Sequence, residues 1–143
     1  MDMQFYHSHP IQKRFSDIDM LGHATNSVYQ QYFDLGRMHY FIDVFNEQMD
    51  WQEEGLILVN INISYLSQVK LEEDIEVRTK IVKIGNKSVE MHQQIFNLST
   101  QDVAAESKSI MVGYRGKEGV SIPVPQRWSK KIADFEKDID FSL

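Results

Sequence analysis

The chain has 143 residues, 42% of them hydrophobic and 25% charged, the balance of an ordinary globular protein and not of a disordered, collagen-like or membrane-spanning one. A formal net charge of -6 repels phosphate backbones, so nucleic acid is not expected as a partner. The lack of any cysteine removes disulfides, Cys-zinc sites and thiol nucleophiles together. The length fits one domain, residues 1–143. The first residues lack the apolar core of a signal peptide, and no run approaches the ~18 apolar residues of a membrane helix. A cytoplasmic protein with no membrane partner is the expectation.

Residues 9–15 predict an edge-like strand, since Pro10 is tolerated at strand starts and edges. Residues 27–47 predict a long helix. Val28, Tyr32, Leu35, His39, Ile42 and Phe45 fall on one stripe, with Tyr29, Phe33, Gly36, Tyr40 and Val44 beside it. A helix apolar round most of its circumference is buried, and a glycine inside it at Gly36 suggests close approach of another backbone. Ser27 or a residue just before it can cap the helix. After Gly55 the period changes to two, with Val59, Ile61, Ile63 and Tyr65 against Asn60, Asn62 and Ser64. Three more alternating runs follow, separated by short turns such as Gly85-Asn86, which favours antiparallel hairpins. A short amphipathic helix is expected from about Gln126. One strand, a long buried helix and four strands in meander make the fold class α+β.

No Gly-x-Ser-x-Gly elbow, Walker phosphate loop or Gly-x-Gly-x-x-Gly run is present, so elbow-hydrolase and dinucleotide chemistry have no support. His7 and His9 share a strand face, but with no third ligand evident nearby, neither a metal nor another cofactor is expected. The dense polar stretch is "FSDIDMLGHATNSVYQQYFDLGR". Asp17 and Asp19 are two apart, Gly22 follows in the same turn, and the long helix starts a few residues later. The unpaired N–H groups and partial positive charge of that helix end would sit beside a carboxylate, as in a base or nucleophile next to an oxyanion site. His23 could touch Asp19 if the segment coils, though local hydrogen bonding that stiffens the loop is its leading role. Asn26 is either a helix cap or a substrate-facing group. Asp34 and Arg37 form an i, i+3 ion pair. Lys83 and Lys87, flanking Gly85-Asn86, are the best local candidates for a phosphate contact.

The same stretch resembles the opening of the hotdog-fold acyl-CoA thioesterases of the 4-hydroxybenzoyl-CoA thioesterase type. The matching positions are Asp17, Asp19, Gly22, His23, Asn26, Tyr29, Phe33, Asp34 and Arg37. Residues 59–95 resemble the family's second and third strands, including Tyr65, Asp74 and Ser88, and "SIPVPQRW" resembles its proline-bearing close. The resemblance covers nearly the whole chain. It implies a curved antiparallel sheet wrapped around one long helix, pairing of subunits into a homodimer or homotetramer, and active sites at the subunit interface. It implies Asp19 as nucleophile or general base, with the N–H at Asn26 polarising the thioester carbonyl. Asp17, Gly22, His23 and Tyr29 would position an acyl-CoA substrate, and Lys83 and Lys87 would contact its CoA phosphates. Met20 stands where many members have proline, Asn26 where some have His or Tyr, and Thr25 where a second asparagine can occur. Acyl carrier protein thioesters, or acyl-thioester binding without catalysis, are the alternatives.

Overall fold

The computed structural model describes residues 3–141. Its elements are β1 (His7–Ile11), a 3-10 turn (Phe15–Asp17), α1 (Asn26–Tyr40) continued by a π-helical turn (Phe41–Phe45), β2 (Gly55–Tyr65), β3 (Ile75–Ile84), β4 (Ser88–Asn97), β5 (Asp102–Arg115), β6 (Val120–Ser121), α2 (Gln126–Phe135) and β7 (Asp140–Phe141). One sheet runs in the order β1-β3-β4-β5-β2, with β6 on β5 and β7 on β3. Only β7 pairs in parallel. The sheet curves around α1 and its continuation, 15 and 5 residues long, and this is the α+β hotdog fold. No helix among the described residues is long and apolar enough to cross a membrane.

Three expectations need correction. First, the four later strands are not a simple meander. β3, β4 and β5 are, but β2 pairs with β5 at the far edge, because residues 66–74 cross the sheet instead of turning tightly. That crossing is held by Leu66 and Ser67 N–H groups on the Ala104 carbonyl and by Ala24 N–H on the Val69 carbonyl. Second, the N-terminal strand lies earlier, at His7–Ile11; the chain then turns through Phe15–Asp17, which brings Asp17 into the interior. Third, the regular helix ends at Tyr40, its last turn widening to π geometry. Asn46 closes it in the left-handed region (φ 53°), a conformation asparagine tolerates.

Alternation does most of the work in the sheet. β4 is strictly alternating in burial along all ten residues, with Val89, Met91, Gln93, Ile95 and Asn97 facing inward. Phe33, Tyr40, Val77, Ile81, Met91, Ile95 and Met111 are fully buried, each worth about 1.5–3 kcal/mol of apolar burial for residues of this size. At Gly36 α1 lies close against the sheet, meeting side chains and not backbone. A Cβ there would stand 2.5 Å from Val77 Cγ2 and 2.9 Å from both Gln93 Nε2 and Thr79 Oγ1.

At the other end of α1, Glu136 is buried beside β3. Its Oε2 accepts from the Tyr40 hydroxyl (2.7 Å) and the Ile81 N–H (3.1 Å), and its Oε1 from Lys80 Nζ (3.3 Å). It fills a gap in the ladder, since β1 pairs with β3 only as far as Thr79 and β7 begins at Lys83. Burial, then the nearby Glu136 charge, push the Tyr40 phenol far above its ordinary range. Glu136→Ala strands the Ile81 N–H and the Tyr40 hydroxyl in the interior and leaves buried Lys80 with Asp138 alone. The expected loss is roughly 3 kcal/mol of unfolding free energy, read from urea denaturation; a loss under about 0.5 kcal/mol would place this carboxylate among indifferent surface groups.

Candidate active site

The segment leading into α1 is a closed turn. Ile18 and Ala24 form an isolated antiparallel bridge. Asp19 N–H donates to the His23 carbonyl (2.9 Å) and Gly22 N–H to the Asp19 carbonyl (3.1 Å). Gly22 has φ 82° with open space around its Cα, so glycine serves the backbone conformation here and not a close approach. The Asp19 side chain completes the turn: its Oδ1 accepts from Leu21 N–H (2.9 Å) and His23 N–H (3.1 Å). Its Oδ2 has no hydrogen bond among the described residues.

The turn is docked from both sides, by Ala24 N–H on the Val69 carbonyl (2.7 Å) and Thr25 N–H on the Asp17 carbonyl (3.0 Å). Thr25 is the N-cap, in extended conformation, and its side chain caps nothing; its hydroxyl lies 3.2 Å from that of Ser27. Asn26 is the first helical residue, not the cap. The backbone N–H groups of Asn26 and Ser27 have no acceptor among the described residues, so two donors of the first turn stay open.

Asp19, His23, Asn26 and Tyr29 line one cavity of about 460 Å³. The wall opposite comes from the end of β2 and the stretch after it, including Tyr65 and Gln68. Tyr29 and Tyr65 rings meet at 5.5 Å, and burial, then Tyr65, push the Tyr29 phenol above its ordinary value. Phe15, Met20, Leu21 and Leu66 are exposed, and Leu21 and Leu66 give this cavity an apolar rim.

The other sequence candidates lie elsewhere. Asp17 points inward, where its Oδ2 accepts from the Tyr32 hydroxyl (2.7 Å) and Arg14 N–H (3.1 Å), and its Oδ1 from Arg14 Nη2 (3.3 Å). The His23 imidazole makes no hydrogen bond among the described residues; it is the His23 backbone that meets Asp19. Lys83 and Lys87 belong to the β3–β4 hairpin end, and Lys83 lines a separate pocket with Gly85 and Glu90. That end packs with Val44 and Phe45, whereas the Asp19 cavity lies at the Val28 and Tyr29 end of the same helix. Within one chain, then, the lysines and Asp19 are at opposite ends of α1. His7 pairs with Asp43 (2.8 Å) and His9 stacks on His39 with ring centroids 3.5 Å apart. Among the described residues no three His, Cys, Asp or Glu side chains are grouped as a metal would require. The crossing segment adds Leu66, Ser67 and Gln68 to the cavity lining, none of which the sequence pattern pointed to.

Burial pushes the Asp17 carboxyl upward, but the Arg14 N–H, the Tyr32 hydroxyl and the Arg14 guanidinium outweigh it and hold the group below its ordinary 3.8. A carboxylate with a depressed folded pKa contributes stability that is fully present above its unfolded pKa and is lost as pH falls through the folded one. Wild-type stability should therefore fall on acidification below about pH 4, and Asp17→Asn should flatten that part of the profile while lowering stability at pH 7. Urea melts from pH 7 to 3 test this; parallel profiles for the two proteins would contradict it.

Comparison with known proteins follows the same line as the geometry. Residues 14–139 match the model of the Thioesterase-like superfamily. The structure is similar to a thioesterase of Thermus thermophilus complexed with coenzyme A and zinc, at 25% identity and a TM-score of 0.80, covering 93% of this chain and 96% of that one. It is similar in fold to the PA5185 protein of Pseudomonas aeruginosa strain PAO1, at 23% identity and a TM-score of 0.83, covering 93% of each chain. The YsmA protein of Bacillus subtilis (strain 168) is 29% identical over 79 residues, 55% of this chain and 53% of that protein, so the match spans about half of the curated relative. The chain belongs to the Thioesterase-like superfamily.

Proposed function

With that membership as premise, we propose that the protein hydrolyses acyl-CoA thioesters, in the manner of the 4-hydroxybenzoyl-CoA thioesterase type, at the cavity beside the N-terminus of α1. The observation that carries this reading is that a carboxylate with a free oxygen, Asp19, lines one cavity with Asn26, the first of two residues whose helix amides, at Asn26 and Ser27, are open. The coenzyme A held by the Thermus thermophilus thioesterase supports CoA as the thiol.

In the proposed reaction the thioester carbonyl accepts from the open amides, whose partial positive charge stabilises the oxyanion that forms. Asp19 either attacks the carbonyl carbon or removes a proton from an attacking water. In the general-base branch the carbon–hydroxyl bond forms, the carbon–sulfur bond breaks, and the thiolate takes up the proton held by Asp19. In the nucleophilic branch breaking the carbon–sulfur bond leaves an acyl-Asp19 anhydride, which a water then hydrolyses, restoring the carboxylate and supplying the proton to the thiolate. Free acid and CoA result in either case. Thiolate is a good leaving group, so one carboxylate and a pair of amides are sufficient machinery. The two hydrogen bonds on Oδ1 hold the carboxylate in place and leave Oδ2 for the chemistry.

We further propose that a second copy of the chain completes the site. The exposed edge strand β2, with Val59 and Tyr65 exposed, and the exposed Phe15, Met20 and Leu21 are the surfaces such a copy would cover.

Asp19→Ala should reduce kcat on acyl-CoA roughly 10³-fold or more without unfolding the protein; near-normal turnover would refute the assignment. The helix amide has its own test. Proline is compatible with the first helical position and with the extended Thr25 before it, so Asn26→Pro deletes one N–H and spares the helix. Its kcat should fall by roughly 10²–10³, whereas Asn26→Ala keeps the N–H and should stay within about tenfold of wild type. Equal losses in the two variants would move the role from the backbone to the side chain. Matched acyl chains on CoA and on acyl carrier protein, assayed side by side, decide the thiol; faster turnover of the carrier-bound chain would reassign it.

A further inference from the structure

One stretch of the concave face holds five polar side-chain atoms that are buried without a hydrogen-bond partner: Gln93 Oε1, Ser107 Oγ, Ser109 Oγ, and Nε and Nη2 of Arg37. The three from the sheet are neighbours, and Arg37 is turned toward them. Gln93 stands opposite Thr79 on β3 and opposite Ser107 on β5, so the three form a row across the inner face. Gln93 Nε2 donates to the Phe33 carbonyl (2.9 Å) and to Thr79 Oγ1 (3.1 Å), which fixes the amide's orientation and leaves Oε1 as a free acceptor. Gly36 sits directly on this row, and Arg37 is the next residue.

The direction of Arg37 follows from the helix. His39 stacks on His9 of β1, so that flank of α1 faces β1. Arg37 lies about 160° round the helix from His39 and therefore faces β5 and β2, where Ser107 and Ser109 are. Its Nη1 is paired with Asp34 Oδ1 at 2.6 Å, so the cluster is close to neutral while two guanidinium donors remain. Buried polar groups left without partners cost free energy, and five together mark a place made for a hydrogen-bonding group.

The row lies along the sheet from the Asp19 cavity. Along β5, Ala105 is opposite Tyr65, Ser107 opposite Ile63 and Ser109 opposite Ile61. Tyr65 is a wall of the cavity, so the row begins roughly 7 Å beyond that wall. Ile61 and Ile63, between them, are only half-buried.

We propose that this row is the distal end of the acyl site, and that the preferred acyl group is of medium length with an uncharged hydroxyl or keto oxygen near its far end. The proposal rests on the thioesterase reading above. Arg37 lies eleven residues beyond Asn26, about 16 Å of helix, and its side chain leans back toward the N-terminus. A thioester held at the open amides would thus reach the cluster with roughly eight to twelve carbons over that helix length. The oxygen accepts from Arg37 Nε and Nη2. A hydroxyl also donates to Gln93 Oε1, with Ser107 and Ser109 completing the set. A carboxylate fits less well, because Asp34 already neutralises Arg37 and Gln93 Oε1 calls for a donor.

The test is calorimetric binding of decanoyl-CoA and 10-hydroxydecanoyl-CoA to Asp19→Asn protein, which separates binding from turnover. The hydroxylated ligand should bind at least tenfold more tightly. Adding Ser107→Ala and Ser109→Ala should bring the ratio close to one while decanoyl-CoA affinity stays within about threefold; should that variant not fold, Arg37→Met serves the same purpose. Equal affinities, a preference that survives these substitutions, or no binding of either ligand would each overturn the proposal. Wild-type turnover of both esters is measured in parallel. A binding preference without hydrolysis would sink the thioesterase reading and leave the subsite standing.

Discussion

The close approach of α1 to the sheet at Gly36 sets the position of nearly everything else. Any side chain there would hold the helix away from Val77, Thr79 and Gln93. With only hydrogen between them, the Phe33 carbonyl comes within 2.9 Å of Gln93 Nε2, and the helix lies flush over β1, β3 and β4. Two consequences follow. The helix N-terminus comes to rest beside Val69 and Ile75, where the Asp19 turn can dock onto the crossing segment. The β5 and β2 side of the concave face is left thinly covered, so Ile61 and Ile63 are half-buried and Gln93 Oε1 and Ser107 Oγ have no hydrogen-bond partner.

Both ends of α1 are fixed by the same device. A helix tyrosine donates at 2.7 Å to a buried carboxylate from an irregular segment: Tyr32 to Asp17, and Tyr40 to Glu136. Neither carboxylate is a strong argument for net stability, because removing a charge from water offsets much of what its partners return. Their effect is positional. Glu136 takes up the Ile81 N–H that no strand reaches, and Asp17 gathers the Arg14 N–H, fixing where the chain leaves β1. Backbone donors buried at such points must find acceptors, and a carboxylate can serve a backbone donor and a tyrosine at once.

The α+β class, the long helix, the four later strands and α2 were legible because each follows a period that burial enforces. The strand order was not. Alternation says that a segment is a strand and which face is apolar, but not which neighbour it takes. The one cue was length: nine residues between Tyr65 and Ile75 are more than a tight hairpin needs. The same crossing segment carries Leu66, Ser67 and Gln68 onto the cavity wall, so their absence from the sequence pattern and the missed topology have one cause. The Gly36 approach was read correctly as a close contact, yet its partner is a set of side chains, which sequence spacing alone does not distinguish from backbone. A hairpin turn carries no sign of which end of α1 it meets, so the distance between the Lys83 and Lys87 hairpin and Asp19 within one chain is not legible from spacing.

The two aspartates show how a one-residue change of backbone divides roles. Residues two apart share a face only along an extended strand. Asp17 closes a 3-10 turn and Ile18 is extended (φ -102°, ψ 132°), so the pair parts, one carboxylate to the interior and one to the cavity. Each binds backbone N–H groups, but with different remainders. Asp17 has both oxygens engaged and a depressed pKa, which makes it an anchor. Asp19 gathers the Leu21 and His23 amides on a single oxygen. Gly22 is what makes that arrangement possible: its positive φ turns the His23 N–H back to the oxygen that already holds Leu21, and the second oxygen is left uncommitted on the cavity that Asn26 also lines.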